Sequence, residues 1–181
     1  DRSGEFYLLQ IRPMVDNRIN IDLNVAHIPD EDCILRSENA IGFGVLSDVC
    51  DIVYVKTKNF SQSNNSQIAE EIEKINTSLL SENRHCIYIG PGRWGSSDEW
   101  LGIPVKWPHI SAAKVIVEAG LDSYQPEPSQ GTHFFQNLTS LGVSYLTINP
   151  FKDEGLYNEN YLDSLDAVLE TEHIRHVRMP K

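Results

Sequence analysis

HCIYIGPGRWGSSDEWLGIPVKWPHI, residues 85–110, holds all three tryptophans of the chain, four of its eleven glycines and three of its nine prolines. Residues 86–89 form a short apolar run with β-branched and aromatic side chains, which predicts a buried strand that Gly90, Pro91 and Gly92 break off. The loop that follows is long, aperiodic and aromatic, the composition of a binding loop. Upstream, residues 51–56 (DIVYVK) read as a strand. A helix follows them, with Ile68, Ile72, Ile75 and Leu79 recurring on one face. Downstream, residues 112–118 (AAKVIVE) are a second buried strand that ends at Gly120. Strand, helix, strand, loop, strand is an α/β pattern: a mixed, partly parallel sheet of about five to seven strands covered by helices.

The glycines at 90, 92 and 95 spell GxGxxG, with Glu118 at the distance of a ribose-binding acid. A dinucleotide fingerprint needs a helix to start at the third glycine and aim its amides at a pyrophosphate. Gly102, Pro104 and Pro108 interrupt any such helix, and Trp94 is bulky where backbone must approach the ligand. A Walker loop fails because Ser96 stands where the phosphate-binding lysine belongs. Two readings remain. In one, the amides of Gly90 and Gly92, the hydroxyls of Ser96 and Ser97, the Arg93 guanidinium and a second charge at Lys106 hold an anion. In the other, tryptophans pin the loop onto the sheet.

A length of 181 residues suffices for a full core, and the net charge of −11 argues against nucleic acid and anionic membranes as partners. No apolar run of membrane-spanning length and no secretory pattern appears. Cys33, Cys50 and Cys86 lack CxxC spacing and read as reduced core cysteines of a cytoplasmic protein. The four sequons are then chance matches. His173 and His176 form an HxxH, but a strand would turn the two imidazoles to opposite faces, so no metal site is expected.

Residues 125–137 (QPEPSQGTHFFQN) lead a proline-bearing loop into a helix, with Thr132 as N-cap, Phe134, Leu138 and Leu141 as apolar stripe and Gly142 as stop. His133 therefore occupies the first helical turn, where free amides and the helix dipole favour a phosphate. This makes His133 a candidate acid, base or phosphoryl carrier, set against a plain helix-capping histidine. Residues 143–149 return as a strand, residues 161–169 read as a last amphipathic helix and residues 173–179 as a weak strand.

Near the start of the chain, residues 5–12 (EFYLLQIR) form a strand ended by Pro13. The run FYLLQIRP resembles the last strand of the nucleotide-binding ATP-grasp domain in the phosphoenolpyruvate synthase and pyruvate phosphate dikinase family. IGPGRWGSSDEWLGIPVKWP and EPSQGTHFFQNLTSLGVSYLTINP look like the C-terminal portion of long bacterial proteins of that type. The resemblance implies nucleotide contacts at Gln10 and Arg12, with ATP and Mg2+ as cofactors of a parent enzyme. It also implies a division into residues 1–13, the end of the ATP-grasp domain, and residues 14–181, a C-terminal α/β domain. His133 and the Gly142-Val143 pair further resemble the swivelling phosphohistidine domain of the same family, although the serine and paired glycines of that motif are absent. The expectation is a piece of an ATP-dependent phosphotransferase that binds a small phosphorylated ligand. The alternative is a non-catalytic domain that sets exposed Trp94, Trp100 and Trp107 against the ATP-grasp partner or a second subunit of a homo-oligomer.

Overall fold

The structure is a computed structural model that describes residues 28–42, 44–58 and 60–180. Gln10, Arg12 and the whole of the segment 1–13 lie outside the described residues. The fold is α/β around a mixed sheet of seven strands. Its middle is parallel: β3 (Asp51–Val55), β4 (Cys86–Pro91), β7 (Ala113–Ala119) and β8 (Ser144–Ile148) lie side by side in chain order. Antiparallel strands flank this block, with β2 (Asn39–Ile41) beside β8, and β11 (Ile174–Arg178) then β10 (Ala167–Glu170) beside β3.

Right-handed crossovers that always step in the same direction place the three connections of the parallel block on one face. That face carries α1 (Asn65–Ser81), α2 (His133–Ser140) and the tryptophan segment, which share one core with Val53, Val55, Tyr88 and Ile116. The predicted stripe of α1 is all inside: Ile68, Ile72, Ile75 and Leu79 are buried against the sheet. Each such side chain contributes about 1.5–3 kcal/mol through burial. Alternation turns Ile52 and Tyr54 to the second face, where they meet Ile89, Val117 and Ile148. A two-stranded ribbon, β1 (Leu35–Arg36) with β9 (Leu156–Tyr157), and α3 (Glu159–Ser164) supply that side. Between β4 and β7 the chain also forms a small parallel pair, β5 (Arg93–Trp94) with β6 (Gly102–Ile103).

Three expectations change. The last helix stops at Ser164, and Ala167–Glu170 is an edge strand whose Val168 and Leu169 are exposed. Leu165 adopts an extended backbone, and the ladder to β11 takes up the N–H and C=O groups a helix would have used. Among the cysteines, all free, only Cys86 is a core residue, whereas Cys33 and Cys50 are half-buried. Of the tryptophans expected at an interface, Trp94 is 1% exposed and Trp107 packs on the helix-side core, while Trp100 is 60% exposed. Among the described residues no helix is long and apolar enough to cross a membrane.

At the amino end of the parallel block, Asp51 is 1% exposed and accepts hydrogen bonds from Arg84 Nε (2.6 Å), His176 Nε2 (2.8 Å) and Arg178 Nε (3.0 Å). Burial by itself would raise the pKa of this carboxyl, but the bonds from Arg84, His176 and Arg178 outweigh it and hold it below the usual carboxylate range. Removing one partner of a buried charge cluster leaves the others uncompensated, so Asp51→Asn should cost about 3–5 kcal/mol in urea unfolding at neutral pH. Because the folded pKa is depressed, this stability is present above the unfolded value of about 3.9 and is lost as pH falls through the folded one. The gap between wild type and variant should therefore close on acidification, and a gap unchanged down to the acid transition would refute this role for Asp51.

Candidate ligand cleft at the strand ends

Gly90, Glu118 and Thr147 stand level across β4, β7 and β8, one residue short of the carboxyl ends of β4 and β7. Glu118 is 4% exposed. Its carboxylate accepts the Trp94 N–H (3.0 Å), the Ser129 N–H (2.9 Å), the Tyr145 hydroxyl (2.6 Å) and the Ser129 hydroxyl. Burial, and after it the Glu118 charge, raises the Tyr145 phenol well above its ordinary pKa, so Tyr145 stays a protonated donor. One carboxylate thus ties together the β4–β7 loop, residues 125–131 and β8.

The glycine loop is held as tightly. The N–H groups of Gly92, Arg93 and Gly95 donate to Ala119 O (3.0 Å), Leu101 O (3.0 Å) and Ile103 O (2.9 Å), while that of Trp94 goes to Glu118. Consequently the amides of residues 92–95 are engaged inside the chain, as the tryptophan-pinned reading expects. Trp94 donates its indole N–H to Val117 O (3.0 Å) and lies tilted against Tyr88. Gly90 faces the same core, where an added Cβ would meet Trp94 and Ile103. At Gly95, with φ +72°, a Cβ would fall 2.2 Å from the Phe134 ring. This close approach sets the first turn of α2 directly on the loop.

Beyond Glu118 a cleft of about 200 Å³ opens, lined by Gly92, Gln125, Glu127, Asn149, Lys152 and Glu154 among others. Of the residues expected to bind a ligand, Gly92 lines it. Arg93 reaches its rim, donating from Nε to Glu127 O and lying 3.8 Å from the Glu127 carboxylate. The others stand elsewhere. The Ser96 hydroxyl closes a turn with Asp98, accepting its N–H (3.1 Å) and donating to its carbonyl (2.7 Å), and Ser97 is exposed. Lys106 is exposed at the start of a 3-10 turn, Trp107–Ile110, that packs beside α1 through Asn76. Thr132 caps α2 as predicted, its hydroxyl accepting the Phe135 N–H (3.2 Å), and His133 is exposed in the first turn.

Four residues of this face carry no pattern by which they could be assembled from sequence. In the sequence Glu118 stands out only as the acid of a dinucleotide fingerprint that Gly102, Pro104 and Pro108 rule out. Ser129, Asn149 and Lys152 come from two loops, and only the strand order brings those loops together. No protein-family model, no curated protein and no solved structure matches the chain.

Glu118→Ala would leave four donors without an acceptor in a buried site and should destabilise the fold by about 3–5 kcal/mol. Tyr145→Phe removes one bond to a charged group and should cost about 1.5–3 kcal/mol. Urea titration followed by tryptophan emission measures both, and Glu118→Ala should also red-shift the emission of Trp94. Equal and small effects of the two substitutions would show that the carboxylate is not the brace.

Proposed function

We propose that the chain is a ligand-binding domain of a phosphoenolpyruvate-synthase-like phosphotransferase and holds a small phosphorylated ligand in the cleft at the ends of β4, β7 and β8. The observation that carries this reading is the cleft that Glu118 braces, with Lys152 in its wall and Arg93 at its rim. In open α/β sheets the crevice at the carboxyl ends of parallel strands is the common ligand site, because loops there converge on a rigid frame. Lys152 is the cation of the wall and Arg93, paired with Glu127, is the second cation beside it; together they supply the charged donors for an anionic group. The amide groups of Gln125 and Asn149 supply neutral contacts to the rest of the ligand. Glu127 and Glu154 disfavour a bare anion, which points to a ligand that also carries hydroxyl groups.

In this reading His133 is the acid, base or phosphoryl carrier, exposed on the first turn of α2 beside the loop that leads to Arg93. The side chains known to this face bind and orient, and the chemistry of ATP with Mg2+ belongs to the ATP-grasp part of the parent chain. Among the described residues no group of three or more His, Cys, Asp or Glu side chains is placed to hold a metal ion.

A second reading rests on a different observation. Trp100, 60% exposed, and the neighbouring Leu101 form an apolar tip on the same loop, as an interaction domain would present to a partner. Titration calorimetry with phosphoenolpyruvate, ATP with magnesium and inorganic phosphate separates the two. Binding should appear with at least one of them and weaken by about 1.5–3 kcal/mol in Lys152→Ala and in Arg93→Ala. Silence from every ligand in the folded protein, or binding indifferent to both substitutions, would reject the cleft and favour the interaction domain.

A further inference from the structure

A second cleft, of about 430 Å³, opens beyond the end of β3, lined by Lys56, Lys58, Asp163, Glu170 and Arg175 among others. It shares no lining residue with the cleft that Glu118 braces. Lys56 binds Glu170 (3.2 Å), Lys58 binds Asp163 (2.8 Å) and Arg175 binds Glu170, so an anion entering here would compete with carboxylates of the chain. The cleft at Glu118 holds a different set of groups, and that set describes its ligand.

One wall of that cleft is a loop, residues 149–154, closed on itself by backbone bonds. The Asn149 N–H donates to Glu154 O (2.7 Å), and the N–H groups of Lys152 (3.0 Å) and Glu154 (3.1 Å) donate to Asn149 O. The Asn149 amide lies against Gly120, where an added Cβ would fall 2.8 Å from Asn149 Cγ. Only a residue without a Cβ leaves room for the amide at this place. Asn149 Oδ1 is buried there and has no hydrogen-bond partner. An amide oxygen can only accept, and a buried acceptor left unpaired is costly.

Among the described residues, the side chains of Lys152, Glu154 and Thr147, which line the same cleft, meet no hydrogen-bond or ion-pair partner. Gln125 donates one amide N–H to Asp122 O (3.3 Å), and its carbonyl oxygen is unbonded. The unmatched set is therefore one ammonium, Lys152, against three acceptors, Asn149 Oδ1, Gln125 Oε1 and the Glu154 carboxylate, with the Thr147 hydroxyl able to act either way. One ammonium calls for one anionic group. The surplus of acceptors calls for donors on the rest of the ligand, which hydroxyl groups supply. A second anionic group in their place would face Glu154 and leave Asn149 Oδ1 unpaired. At about 200 Å³ the cleft has the room of roughly seven waters of about 30 Å³ each, which suits a short carbon chain and not a nucleotide.

We propose that the ligand of this cleft is a small phosphorylated polyol of about three or four carbons, with its phosphate on Lys152 and its hydroxyl groups donated to Asn149 Oδ1 and the Glu154 carboxylate. The proposal rests on the reading of the cleft as a phosphate site and names the class of ligand that fills it.

The test is titration calorimetry of the whole chain at about pH 8, where phosphomonoesters are dianionic. Its probes are glycerol 3-phosphate, n-propyl phosphate, which has the phosphate and the carbons without the hydroxyl groups, phosphoenolpyruvate and inorganic phosphate. Glycerol 3-phosphate should bind about tenfold more tightly than propyl phosphate or phosphoenolpyruvate, and Lys152→Ala should weaken every probe. Asn149→Leu keeps the size of the side chain without its acceptor and should bring the preference over propyl phosphate down to about twofold. Glu154→Gln changes an exposed side chain and leaves the buried wall untouched. It should tighten propyl phosphate by removing a like charge, yet lower the preference for glycerol 3-phosphate about threefold. Equal affinity for glycerol 3-phosphate and propyl phosphate, tighter binding of phosphoenolpyruvate, or a preference that neither Asn149→Leu nor Glu154→Gln lowers would overturn the polyol, while the phosphate site stands if Lys152→Ala weakens every probe. Silence from all of them, inorganic phosphate included, would overturn both.

Discussion

A carboxylate buried at the end of a parallel strand must find donors or lose its charge, and Glu118 finds four. Those donors come from the β4–β7 loop, from residues 125–131 and from β8, which this one carboxylate joins. The arrangement of the strand-end face follows from meeting this one requirement. Trp94 is drawn inside because its backbone N–H is bound to Glu118 and its indole to the neighbouring Val117 carbonyl. With Trp94 fixed, Gly95 meets Phe134 and the start of α2 is set on the loop.

The same logic acts at the opposite end of the parallel strands. Asp51 opens β3 as Glu118 nearly closes β7, and three cationic or imidazole donors from the turn before β4 and from β11 converge on it. The antiparallel β11 is thereby fastened at both ends of β3, through His176 to Asp51 and through His173 to Glu71 of α1. Buried charges used in this way add little net stability by themselves, yet they penalise any register that would strand them.

The two clefts lie where this scaffold ends, at the carboxyl ends of the parallel strands, and they differ in character. One has two cations near a braced carboxylate that is already saturated by donors. The other has its two lysines and its arginine paired with carboxylates. In a chain of net charge −11 the sign of each site is set locally, by which side chains are already paired.

Composition, strand and helix periodicity and the cap at Thr132 were readable without coordinates, because they depend on neighbours a few residues apart. The apolar stripe of α1, the buried runs of β3 and β7 and the α/β class are of this kind. The strand at 167–170 was not, since Val168 and Leu169 fit a helical stripe equally well and only pairing with β11 decides between them. Nor could sequence alone join Glu118 to Ser129 and Tyr145, or Glu71 to His173, which lie 102 positions apart. Local periodicity thus determined the elements of this protein, while long-range hydrogen bonding to buried carboxylates, which depends on strand order, decided where its polar side chains meet.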